Sequence, residues 1–146
     1  MTAFVIDASV AVKWVITEED SEQASSLFSG LILSAPDLIV AECVNILWKK
    51  VRRAQLTQDE ALMAARILQR MDVELHPMRP LMESATRLAV DLGHPAYDCL
   101  YLALALEKGA QFVTADLSFV SKVRQTLPEA ASTVQSLADV AARGLH

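Results

Sequence analysis

Short apolar runs with no polar face recur along this chain and alternate with longer stretches of helical spacing. They lie at 3–6, 31–34 and 111–114, with weaker ones at 73–76 and near Val134. A strand that is apolar on both sides must be covered on both sides, which is the setting of a parallel sheet between helices. Helical spacing is read at 9–16 with Ser9 as N-cap, at 21–29 closed by Gly30, and at 37–54 with Asp37 as cap. It is read again at 57–71, at 81–92 ending at Gly93, at 96–108 ending at Gly109, and from Asp116 to about Leu127, with a last helix in the tail. Thr57-Gln58-Asp59-Glu60 has the spacing of a capping box. The expected fold is α/β, with a short, mostly parallel sheet flanked by helices on both faces.

The length of 146 residues suits one domain spanning 1–146. With 53% apolar residues the chain can bury a core without staples, and disorder is not expected. No apolar run reaches the ~18 residues of a membrane span. The opening MTAFVIDAS lacks a basic start and a cleavage site, so no signal peptide is expected. Cys43 and Cys99 are isolated from each other and read as small buried hydrophobes. A cytoplasmic, reduced protein fits these features. The net charge of −5 argues against a broadly basic nucleic-acid surface.

Two of the apolar runs end on a carboxylate. FVIDAS puts Asp7 after the first strand, and FVTADLS puts Asp116 just past the 111–114 strand. Parallel sheets bind ligands beyond the carboxyl ends of their strands, so both acids fall where a site is expected. Glu42, within LIVAECVNILWKK, and Asp98, in the first turn of AYDCLYLALALEKG, are single charges in apolar surroundings. A lone carboxylate in a dry place is costly unless it is paired or bound to a metal.

Each acid also has a plain structural reading. Asp7 can close a turn, Asp116 can cap the following helix, Asp98 can favour a helix dipole, and Glu42 can lie on a solvated face. One hard-cation site accounts for all four together. Oxygen ligands select Mg²⁺ or Mn²⁺. His76, His94 and His146 show no ligand spacing, neither cysteine has a CxxC partner, and His94 before Pro95 reads as a structural turn residue. Ser9 and Thr114 flank the acids and can hydrogen-bond ligand carboxylates, or serve only as N-cap and strand filler. Other acidic pockets fit less well. A dehalogenase-type phosphatase needs a second aspartate two positions after Asp7, where Ser9 stands, and a receiver domain needs a lysine near Asp116. The glycines do not cluster as a phosphate-binding loop requires.

VIDASV, PDLIVAECVNILWK, YDCLYLALA and FVTADLSF, in this order and at this spacing, resemble a PIN domain. More narrowly they resemble the VapC-type ribonuclease toxins of bacterial toxin–antitoxin pairs. The resemblance implies a metal-dependent endoribonuclease whose acidic quartet falls on Asp7, Glu42, Asp98 and Asp116, with supporting hydroxyls on Ser9 and Thr114. It implies Mg²⁺ or Mn²⁺ as cofactor and products ending in 5′-phosphate and 3′-hydroxyl. It also implies a cognate antitoxin, a homodimer and a toxin–antitoxin hetero-oligomer as assemblies. A small PIN nuclease of RNA processing, or a catalytically idle co-repressor module, are the alternatives.

Setting the four acids aside leaves fourteen acidic against thirteen basic residues, so the remainder is near neutral. Asn45, Lys49, Arg52 and Arg53 follow Glu42 outward along its helix as candidate guides for an RNA backbone, or as an ordinary solvated helix end. Val12, Trp14, Leu27 and Phe28 lie on short apolar helical stretches as candidates for an antitoxin groove, or as core.

Overall fold

The computed structural model describes residues 3–16 and 31–142. In chain order these form β1 (Ala3–Ile6), α1 (Ala8–Val15), β2 (Ile32–Pro36), α2 (Leu38–Arg52), α3 (Gln58–Leu68) and β3 (Glu74–His76). There follow α4 (Met82–Leu92), α5 (Ala96–Lys108), β4 (Gln111–Thr114), α6 (Leu117–Thr126), β5 (Val134–Ser136) and α7 (Leu137–Ala142). Short 3₁₀ turns stand at Arg79–Leu81 and Pro128–Ala130. The helix expected at 21–29 lies outside the described residues.

The five strands form one sheet in the order β3-β2-β1-β4-β5. Every pairing is parallel, with Phe4 opposite Leu33 on one side and Gln111 on the other. The chain passes from β1 outward through β2 and β3, then returns to place β4 on the other side of β1. Strand order therefore reverses between β1 and β4, and that reversal opens the crevice in which such sheets hold ligands.

Phe4, Val5 and Ile6 are each fully buried. Successive strand residues point to opposite faces, so both faces of the sheet are covered. Helix α5 is buried at Cys99 and at every position from Tyr101 to Ala105. Such all-round burial marks a helix held inside the molecule. The Tyr101 ring stacks on Phe112 of β4 with centroids 5.5 Å apart, and Phe119 of α6 meets Phe112 edge-on at 6.0 Å. Among the described residues no helix is long and apolar enough to cross a membrane.

Several boundaries differ from the sequence reading, each for a local reason. Helix α1 is capped by Asp7, whose side chain accepts from the Val10 N–H, and not by Ser9. Asp37 precedes α2 without a side-chain capping bond. Strand β2 runs on to include Pro36, beyond its last β1 partner at Ser34, where a missing N–H is tolerated. Helix α2 stops at Arg52 because Ala54 turns left-handed at φ 58, with the Gln55 N–H on the Lys50 carbonyl. Past α3 the Arg70 and Met71 N–H groups reach only three residues back, so the final turn tightens. The capping box at Thr57 and Glu60 is present in both directions, and Gly93 and Gly109 end α4 and α5 in the left-handed conformation.

Candidate functional site

Asp7 is the first residue past β1, and it is 6% exposed. Its Oδ1 accepts from Ser9 Oγ at 2.5 Å and from the Val10 N–H at 3.1 Å, and its Oδ2 accepts from Thr114 Oγ1 at 2.5 Å. Burial nevertheless outweighs these three bonds and pushes its carboxyl up to about 6, with the Asp98 charge adding to the rise. Thr114 is the last residue of β4, so β1 and β4 are joined at their carboxyl ends through side chains as well as through the sheet.

The Thr114 hydroxyl also accepts from the Asp116 N–H at 3.0 Å, and the Ser9 hydroxyl from the Ala115 N–H at 3.4 Å. Asp116 is the N-cap of α6, with Oδ1 accepting from the Phe119 N–H at 3.1 Å. The capping roles of Asp7 and Asp116 and their place at the sheet edge thus coexist.

The two helical acids meet them from the side. Glu42 of α2 accepts a 2.5 Å bond from the Tyr101 hydroxyl at Oε1. Burial raises the Glu42 carboxyl, Tyr101 opposes the rise, and the Asp98 charge adds to it. Asp98 Oδ2 lies 2.9 Å from His94 Nε2. Burial raises the Asp98 carboxyl as well, the His94 bond opposes it, and the Asp116 charge reinforces it. Tyr101 is pushed far above its ordinary value by burial and by Glu42, so it remains a donor.

Asp7, Ser9, Glu42, Asp98 and Asp116 line one pocket of about 300 Å³, with Ala8, Ile46 and Ala115 completing it. Among the described residues the ion pairs seen join none of the four acids to a lysine or arginine, and His94 pairs with Asp98. His94, Asp98 and Asp116 each bring a ligand atom within 4.8 Å of the others. Carboxylates crowded in one pocket form a donor set that fits a hard divalent cation. A phosphate would be repelled by this pocket alone but drawn to it once a cation is held there.

The other residues singled out in the sequence fall in different places. Lys49 and Arg53 are exposed and continue the Glu42 face of α2, and exposed Asn45 lies beside it. Arg52 leans over the Trp48 ring at 5.3 Å and so belongs to a neighbouring face. Val12 is 1% exposed and belongs to the core, because α1 buries that side; it cannot line an open groove. Trp14 is half-buried and packs against the same core. Leu27 and Phe28 lie outside the described residues. Cys43 and Cys99 are buried and unbridged. Burial, then Glu42 and Asp7, push the Cys43 thiol up to about 12, which leaves it inert.

Sequence reasoning missed Tyr101, Ile46 and the position of His94. His94 does more than shape a turn, since it faces Asp98 across the start of α5. The spacing of four between them was the available signal. Tyr101 lies three residues after Asp98 on an apolar helix, and nothing local separates it from core.

A PIN domain family model matches residues 4–124, and the chain belongs to that family. Within it, the chain is 34% identical over 124 residues to Ribonuclease VapC3 of Pyrobaculum aerophilum, covering 81% of this chain and 92% of that protein. It is 30% identical over 113 residues to VapC ribonuclease Mb0985 of Mycobacterium bovis, covering 77% and 85%. The crystal structure of PAE2754 from Pyrobaculum aerophilum superposes with a TM-score of 0.69 over 97% of this chain and 98% of that one, at 21% identity, and so shares the fold.

Proposed function

We propose that this protein is a divalent-cation-dependent endoribonuclease, the toxin of a toxin–antitoxin pair, built on one domain and working in the cytoplasm. The observation that carries the reading is the convergence of Asp7, Glu42, Asp98 and Asp116 on one pocket at the strand-order reversal. Relatives named as VapC ribonucleases support RNA as the substrate.

The four carboxylates would hold Mg²⁺ or Mn²⁺. When bound, the cation would acidify a water and offset charge on the phosphodiester in its transition state. The chain's own residues do the rest. Ser9 and Thr114 fix the two oxygens of Asp7. His94 holds Asp98, and the Asp116 carboxylate is held by its own helix N-terminus. Lys49 and Arg53 lie on the line leading out from Glu42, where they would meet an RNA backbone, with Asn45 beside them. Partners would be RNA, a cognate antitoxin and a second copy of the chain, in a homodimer and a toxin–antitoxin hetero-oligomer.

Expression in a bacterial host without antitoxin tests the reading. Wild type should arrest growth, and Asp7→Asn should not, because an amide is a poor ligand for a hard cation. Unimpaired growth with well-folded, abundant wild-type protein would overturn the toxin assignment.

A further inference from the structure

We propose that Tyr101 is a positioning residue for cation binding, its hydroxyl fixing Glu42 in the orientation that presents the carboxylate to the pocket. This rests on the reading of the pocket as a divalent-cation site. Tyr101 is fully buried, and its ring is pinned flat against Phe112, the two planes only 11° apart. A buried tyrosine hydroxyl needs a hydrogen-bond partner. The partner here is not a nearby carbonyl but a carboxylate 59 residues away, and it is one of the four acids of the pocket.

The placement links three parts of the site. Tyr101 lies one turn after Asp98 on α5, so the helix that delivers one acid also clamps another. Phe112, beneath its ring, is two residues before Thr114, whose hydroxyl holds Asp7. Tyr101 takes Oε1 of Glu42, and among the described residues no protein donor takes Oε2. A glutamate has three side-chain torsions, and ordering one costs up to ~2 kcal/mol of rotamer entropy. The Tyr101 bond meets that cost during folding, so it is not charged against cation binding. Partners that orient ligands in this way typically change metal affinity by ~10–100-fold when removed.

A purely structural tyrosine behaves differently. Its loss lowers stability and leaves the affinity for a cation unchanged. The experiment is calorimetric titration of Mn²⁺ into metal-free wild type, Tyr101→Phe, Glu42→Gln and the double variant, with a melting curve of each in EDTA. Tyr101→Phe keeps the ring and its stacking. It should melt cooperatively and bind Mn²⁺ at least ~10-fold more weakly than wild type. The double variant should match Glu42→Gln, because Tyr101 acts through Glu42. Wild-type affinity in Tyr101→Phe, or a further loss on adding it to Glu42→Gln, would overturn the role of Tyr101 and leave the cation site standing. Failure of wild type itself to take up Mn²⁺ would overturn the site and the role together.

Discussion

Asp7 and Thr114 stand 107 residues apart and share a 2.5 Å hydrogen bond between the carboxyl ends of neighbouring strands. Each also serves its own segment. Asp7 caps α1, and Thr114 receives the Asp116 N–H. A buried carboxylate oxygen stripped of its donor costs about 1–3 kcal/mol. Thr114→Val, which keeps the shape and removes the hydroxyl, should therefore lower the urea midpoint at pH 7, while Thr114→Ser keeps most of the stability. A Thr114→Val midpoint equal to wild type, with the loss appearing in Thr114→Ser, would assign the effect to the methyl group and not to the bond.

The pH dependence of the metal-free protein follows from Asp7. Its carboxyl is raised from 3.8 to about 6. Between those values the folded protein keeps a proton that the unfolded chain has released, so stability falls as pH rises through that window. The full penalty, about 3 kcal/mol for a shift of this size, is present above pH 6 and is relieved on acidification. Glu42 and Asp98 are raised too and act in the same direction. Asp139 opposes them. The Ser136 N–H first, and Arg124 after it, hold it below the usual range, so its contribution is lost only as pH falls below 3.8. In EDTA the urea midpoint should be higher at pH 5 than at pH 7, and the reverse order would refute the cost of burying these carboxylates in their charged form.

What could be read from the sequence followed from what is local. The run at 3–6 is apolar throughout and the one at 111–114 has Phe112 and Val113 on opposite faces, so both read as covered strands, and a carboxylate just past each falls at the sheet edge. The capping box at Thr57 is likewise a matter of four adjacent residues. Asp7 and Ser9 both suit an N-cap, however, and only the extended backbone at Asp7 decides between them. Tyr101 reads as core because it is core, and its second role depends on a helix brought in from 59 residues away. Ala54 gives no sign of a left-handed turn, because alanine is not the residue that favours one.

That turn supplies a prediction outside the site. Ala54 sits at φ 58 where α4 and α5 have glycines at φ 60 and 63. It is exposed, so a glycine there loses no packing. Ala54→Gly should remove a left-handed strain of about 1 kcal/mol and raise the melting temperature by ~2–4 °C. A drop in melting temperature would mean that unfolded-chain entropy outweighs the strain.

Asp98→Asn should separate charge repulsion from folding. The amide can still accept from His94, and it can donate to Asp116, whose negative charge now raises Asp98. Exchanging repulsion for a hydrogen bond is worth about 1 kcal/mol. In EDTA at pH 7 the variant should melt ~2–4 °C higher than wild type. Added Mg²⁺ should stabilise wild type by mass action and leave the variant almost unmoved. Equal Mg²⁺ shifts in the two proteins would remove Asp98 from the cation site.

In the proposed function the four-acid pocket cuts RNA through a divalent cation. The most direct test is the cleavage of structured RNA by purified, antitoxin-free protein, with Mg²⁺ or Mn²⁺, with EDTA, and with the cation restored. Cleavage should proceed with either cation, stop with EDTA and resume on restoration, and Asp98→Asn should cut at least ~100-fold more slowly. Cleavage that persists in EDTA, or an Asp98→Asn protein that cuts at the wild-type rate, would contradict the account.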